Sequence, residues 1–224
     1  MRSPKGNLKF MDVKVSASLL GCDLSNLGRE AEKAVQGGCD WIHFDVMDGS
    51  FVENITMGAP VQKTLNPDYF MDTHLMVSRP DKQIDFFAKS GSDIITFHTE
   101  ADSDIDHTIN KIHRAGLMAG LSVKPATPAE ELFPYLEKLE MVLIMTVEPG
   151  YGGQGFLNYT LPKISKVRDK AMGLNHPLLI EVDGGINAET APLAINAGAN
   201  VLVSGSYLFK AQDTAAAVRA LKGC

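Results

Sequence analysis

Eight short apolar runs, each followed by a stretch of different periodicity, recur from one end of the 224-residue chain to the other. This alternation constrains the fold more than any other feature. The runs are Val15–Leu20, Trp41–Met47, Phe70–Val77, Asp93–His98, Met118–Val123, Met141–Val147, Leu178–Asp183 and Asn200–Ser204. They are almost continuously apolar and rich in β-branched residues, as strands covered on both faces must be. Between them lie amphipathic stretches. Leu27, Ala31, Ala34 and Val35 share one helical face, with Ser25 as the N-cap and Gly37-Gly38 as the stop. Pro80 opens a helix through Ile84, Phe87 and Ala88 to Gly91, and Ile105, Ile109 and Ile112 form a stripe ending at Gly116. Thr127 is placed to cap the next helix, with Pro128 in its first turn. Asn187–Ala197, closed by Gly198, and Ala211–Leu221 complete the series, and only Pro60–Leu65 is weakly helical.

Eight strand–helix units with no linker and no break in composition predict a single-domain closed α/β barrel, the (β/α)₈ or TIM barrel. Its expected extent is 15–224, behind an N-terminal extension at 1–14. A doubly wound open sheet is the alternative, but it calls for a glycine-rich dinucleotide turn after its first strand, and Ser18–Gly28 is not one. The barrel confines the search for chemistry to the C-terminal ends of the strands.

Composition narrows the class of partner. The chain has 21 basic and 27 acidic residues, a net charge of −6, which argues against nucleic acid or an anionic membrane. Cys22, Cys39 and Cys224 have no spacing that suits a disulfide framework or a zinc cluster. No apolar run reaches the roughly 18 residues of a membrane span. The N-terminus lacks an apolar secretory core, although Arg2, Lys5 and Lys9 precede the first acid, Asp12, and leave room for a transit remnant or an expression scar. A cytoplasmic location is the expectation.

Polar residues stand where buried strands should have none. In HFDVMDG, residues i, i+2 and i+4 place His43, Asp45 and Met47 on one face, and in DTHLMV Asp72, His74 and Met76 likewise share one. The seventh run ends in EVDGG, with Asp183 last. Buried without partners, such groups would cost several kcal/mol each, so about 2–7 kcal/mol must be offset by a partner, a metal or water. A satisfied His–Asp pair is one way to do it. The joint placement of two imidazoles and two carboxylates at one rim favours another, an N₂O₂ site for zinc, iron, manganese or cobalt. Glycine-rich segments follow the last three strands: VEPGYGGQGF from Val147 to Phe156, Gly184-Gly185, and Ser204–Ser206. Any one could be an ordinary turn, but together they favour backbone amides gathered around a phosphate.

With HFDVMDGSFVENITMG, DTHLMV, TFHTE, MTVEPGYGGQGF, EVDGGI and VSGSYLF in this order, the chain resembles the ribulose-phosphate 3-epimerase family from Ser16 to about Asp213. The resemblance implies a metal-dependent TIM-barrel isomerase of the pentose phosphate pathway, epimerizing D-ribulose 5-phosphate and D-xylulose 5-phosphate at C3. It implies one divalent ion per chain, zinc or iron first and manganese or cobalt next, on His43, Asp45, His74 and Asp183. Asp45 and Asp183 would be the paired catalytic acid and base. Ser18, His74, Gly150, Tyr151, Gly152, Gly153, Asp183, Gly184, Gly185, Gly205 and Ser206 would bind substrate, with Met47, Met76 and Met145 packed on the enediolate. It also implies a homo-oligomer, dimer or hexamer. Ala17, Cys22, Ser50 and Glu53 depart from the usual family pattern, and none of them removes a ligand or a carboxylate. An epimerase of a ketohexose 6-phosphate such as allulose 6-phosphate, or a barrel that binds phosphosugars without catalysis, are the alternatives. No HxH strand occurs, which excludes one class of metal hydrolase. His98 and Glu100 are read as structural or supporting residues, and His107, His113 and His176 as solvated.

Overall fold

The computed structural model describes residues 12–223. The expected extension at 1–14 falls largely outside them, as does Cys224, and Lys14 already belongs to the first strand. Eight parallel strands, β1 (Lys14–Ser18), β2 (Trp41–Met47), β3 (Met71–Met76), β4 (Ile94–His98), β5 (Met118–Val123), β6 (Met141–Met145), β7 (Leu179–Asp183) and β8 (Val201–Ser204), pair in chain order and close β8 onto β1. Each is sealed from solvent along nearly its whole length. This matches the continuous apolar runs: one face of each strand looks into the barrel and the other meets the helices.

The covering layer contains α1 (Leu27–Gln36), α2 (Ala59–Gln62), α3 (Ile84–Lys89), α4 (Ile105–Arg114), α5 (Leu161–Ala171), α6 (Ala191–Ala197), α7 (Ser206–Phe209) and α8 (Thr214–Lys222). Its details differ from the sequence expectation at several points. Ser25 does not cap α1: Asp23 accepts from the Ser25 amide and caps a 3₁₀ turn, Leu24–Asn26, that precedes it. Pro80 likewise opens a 3₁₀ turn before α3. After β5 the chain forms a ten-residue 3₁₀ run, Ala129–Lys138, rather than an α-helix, because Pro134 lies inside it and supplies no amide hydrogen. The last two long helices are shorter than expected at their N-termini, starting at Ala191 and Thr214, and the single-turn α7 was not foreseen.

The barrel interior is apolar at the bottom and polar at the top. Trp41, Phe70, Ile94, Met141, Leu179 and Val201 fill the N-terminal end, with Trp41 stacked on Phe70 at 4.5 Å. This plug makes the lower barrel a packed core, so chemistry is possible only at the opposite rim. Among the described residues no helix is long and apolar enough to cross a membrane.

Candidate active site

The pairing of β2 with β3 sets His43 beside Asp72, Asp45 beside His74, and Met47 beside Met76. Both strands send alternate residues to the same face, so this register stacks three polar or thioether pairs up the barrel wall. Across the barrel β7 adds Glu181 and Asp183, and β1, paired directly with β2, adds Ser16 and Ser18.

His43 Nε2 lies 3.2 Å from Asp45 Oδ1. His74 Nδ1 is 3.4 Å from the same oxygen and 3.9 Å from Asp183 Oδ2. The two ring nitrogens are sealed from solvent without a hydrogen-bond partner. One donor atom from each of the four residues lies within 4.8 Å of all the others. Ligands about 2.0–2.2 Å from a common ion can be no more than about 4.4 Å apart, so the measured pairs suit a divalent cation held between them. Two inward-facing, unpartnered imidazole nitrogens opposite two carboxylates are the donor set such an ion requires.

Charge is divided unevenly over this cluster. Burial raises Asp183 first, and the nearby Asp45 adds to it, so that its carboxyl is pushed up to about 7 although 17% of the side chain is exposed. Asp45 goes the other way: burial opposes ionisation, but His43 and His74 outweigh it and hold the group below the usual carboxylate range. Burial also works against an imidazolium at His43, yet Asp72 and Asp45 on its two sides raise it well above an ordinary histidine. His74 is depressed, mainly by burial.

Two further carboxylates flank the far side of His43. Asp72 Oδ2 is 2.7 Å from His43 Nδ1 and accepts from Ser16 Oγ at 2.8 Å. Glu181 approaches His43 Nδ1 at 3.8 Å, and burial followed by the Asp72 charge pushes its carboxyl well above the normal range. Sequence reasoning placed Asp72 on the right face without giving it a part, and it passed over Glu181. The alternation that selected Asp183 also points two residues back to Glu181. His98, 2.9 Å from His74, and Glu100, 3.2 Å from His98, support the cluster from β4, as read from the sequence.

A cavity of about 1100 Å³ opens above these groups. It is lined by Ser18, Asp45, Met47, Met76, Met145, Gly150, Tyr151, Gly152, Gly153, Asp183, Gly184, Gly185, Gly205 and Ser206, which brings nearly all the expected substrate-binding positions together. His74 is the exception. It has no exposed surface and is not among the residues that line the cavity, although its Nδ1 is 3.4 Å from Asp45, which is. Ser18 is at the floor, but its hydroxyl already donates to Asp45 Oδ2 at 2.7 Å, so it also positions a carboxylate. Gly184 and Gly185 have φ of +122° and +67°. A Cβ on Gly185 would come within 2.5 Å of the Phe156 amide, so the pair is required for packing as well as for any approach of an anion. Of the histidines read as solvated, His107 and His113 are exposed, whereas His176 is partly buried with Nε2 3.0 Å from the Leu139 carbonyl.

Residues 14–209 match the family model described as the ribulose-phosphate 3 epimerase family. The chain belongs to the ribulose-phosphate 3-epimerase family. Its similarity extends over nearly the full length of known members. It is 44% identical over 214 residues to the ribulose-phosphate 3-epimerase of Bacillus subtilis (strain 168), covering 94% of this chain and 99% of that protein. It is 42% identical to the enzyme of that name from Schizosaccharomyces pombe, covering 95% and 94% of the two chains. Among solved structures, 3-hexulose-6-phosphate synthase from Salmonella typhimurium superposes with a TM-score of 0.68 at 18% identity, covering 94% of this chain and 97% of that one. Phosphoribosyl anthranilate isomerase from Thermotoga maritima gives 0.67 at 18%, covering 95% and 100%. At such identities these two likenesses concern the barrel alone.

Proposed function

We propose that the protein epimerizes D-ribulose 5-phosphate and D-xylulose 5-phosphate at C3, with Asp45 and Asp183 as the two proton-transfer groups. The observation that carries this reading is geometric: two carboxylates from separate strands, Asp45 on β2 and Asp183 on β7, meet across one cavity. Inversion at carbon needs a base on one face and an acid on the other. Two groups separated in this way meet the need without either having to travel.

The carboxylate takes the C3 proton on its side, and the protonated acid returns one on the other, the roles exchanging in the reverse direction. A divalent ion on His43, Asp45, His74 and Asp183 would supply Lewis acidity at the oxygens on C2 and C3. Ser18 holds Asp45 through its hydroxyl. Met47, Met76 and Met145, each at most 4% exposed, form polarizable walls that offer no proton to the flat enediolate. Backbone amides of Gly184, Gly185, Gly205 and Ser206 are available to the substrate phosphate at the far end.

The test is a coupled assay on metal-analysed protein with ribulose 5-phosphate and allulose 6-phosphate side by side. Turnover of the pentose phosphate, with little of the hexose phosphate and little of free ribulose, is the expected result. Metal-replete protein that leaves ribulose 5-phosphate unchanged would overturn the reading.

A further inference from the structure

His74 has two ring nitrogens, and the one turned away from the candidate metal position leads to a chain of side chains. His74 Nε2 is 2.9 Å from His98 Nε2, and His98 Nδ1 is 3.2 Å from Glu100 Oε2. The other Glu100 oxygen, Oε1, accepts from the Lys124 amide at 2.8 Å and from the Thr127 hydroxyl. Both rings are sealed from solvent, while 22% of the Glu100 side chain remains exposed. The Phe51 ring covers His98 at 4.8 Å, and Lys124 Nζ lies 4.0 Å from the centre of Phe51.

Two imidazoles that meet nitrogen to nitrogen share one hydrogen, so the tautomer of one dictates that of the other. An ionised carboxylate only accepts. The hydrogen of His98 must therefore sit on Nδ1, facing Glu100, which leaves Nε2 as an acceptor. His74 must then donate from Nε2, and its Nδ1 is left with a free lone pair directed at Asp45 and Asp183. We propose that Glu100 is a positioning residue for the metal site: through His98 it fixes His74 in the Nε2–H tautomer and keeps Nδ1 free to bind a divalent ion. The inference rests on the metal site of the proposed function. It also separates the two imidazole ligands, since His43 is aimed directly by Asp72 and His74 indirectly by a carboxylate at the solvent edge.

Glu100→Gln discriminates sharply. The Lys124 amide keeps the oxygen of the new carboxamide in place, so its NH₂ faces His98 Nδ1, which can then only accept. The hydrogen of His98 moves to Nε2 and that of His74 to Nδ1, pointing into the site. In ¹⁵N spectra of the metal-free protein we expect His74 protonated on Nε2 and His98 on Nδ1, with both reversed in Glu100→Gln. Zn²⁺ affinity, measured by competition with a chromophoric chelator, should weaken about 10–100-fold in that variant. Thr127→Val removes one bond to Glu100 Oε1 but keeps the Lys124 amide on that oxygen and leaves Oε2 an acceptor for His98, and should leave both tautomers unchanged. The proposal falls if wild-type His74 carries its hydrogen on Nδ1, a measurement that needs no variant, or if Glu100→Gln preserves both tautomers and the Zn²⁺ affinity. Unchanged Zn²⁺ affinity in His74→Ala would instead overturn the metal site itself, and the proposal with it.

Discussion

Single residues in this barrel act through the state of their neighbours, and the proton inventory of the site shows how. Without an ion, Asp183 titrates at about 7 and His43 stays protonated well above the usual range. A cation must displace the proton from His43 and competes with the one on Asp183. Apparent metal affinity should therefore rise with pH, by about tenfold per unit for each proton released, and the dependence from Asp183 should flatten above pH ~7. The stability consequence has the same origin. Between the ordinary aspartate value of 3.8 and about 7 the folded chain keeps a proton on Asp183 that the unfolded chain has lost. The metal-free protein accordingly loses stability as pH rises through that window. The gain in Tm on adding metal should grow from about pH 5 to about pH 8; a constant gain, measured by calorimetry, would contradict the assigned proton states. His74→Ala should lower metal content and activity together, and full occupancy in that variant by elemental analysis would remove His74 from the ligand set. His43, Asp45, His74 and Asp183 were legible because strand alternation tells which face a residue occupies. It does not tell depth. Asp72 and Glu181 share those faces but do not line the cavity, and the register that sets Asp72 beside His43 is not written in the alternation.

At the scale of elements, the strands were legible nearly to the residue, since burial on both faces leaves a continuous apolar mark. The covering segments were less so. A 3₁₀ run and an α-helix bury similar stripes, and the run at Ala129–Lys138 differs by Pro134, whose effect depends on how the segment packs. The segment after β6 connects element structure to function. Gln154 Nε2 donates to the carbonyls of Glu148 and Tyr151, and Asn54 Nδ2 donates to the Gly150 carbonyl at 3.0 Å, tying the loop to the one after β2. With glycines at 150, 152, 153 and 155 it has hinges on both sides of an exposed Tyr151. Closure over substrate would keep water from the enediolate. Saturating phosphosugar should protect Gly150–Phe156 from limited proteolysis, and equal cleavage with and without ligand would count against closure. The base of this loop is fixed where the Phe156 amide meets Gly185. Gly185→Ala should cost about 1–3 kcal/mol through its positive φ and the displaced Phe156, or about 2–12 °C in Tm for a domain of this size. An unchanged melting temperature would show that the loop base yields freely.

The whole molecule matters because Asp45 and Asp183 lie on β2 and β7, strands that are far apart in sequence and not neighbours in the sheet. Only closure of the barrel, with β8 pairing to β1, turns these two strands toward a shared cavity above the apolar plug. If the two carboxylates work from opposite faces of the substrate, each removes the C3 proton of a different epimer. Losing one should block net epimerization, by at least the roughly 10²-fold typical of a general base, while proton exchange of one epimer continues. Alanine would confuse lost ligation with lost basicity, whereas asparagine keeps an oxygen donor and removes only the base. Asp45→Asn and Asp183→Asn, with metal content verified, should therefore each exchange the C3 hydrogen of one epimer with deuterated water, and the epimer should differ between the two variants. The measurement is C3 deuterium incorporation by NMR, started from ribulose 5-phosphate and separately from xylulose 5-phosphate. Should the same epimer exchange in both variants at similar rates, one base must reach both faces, and the placement of two carboxylates across the barrel would serve metal binding rather than two-sided proton transfer.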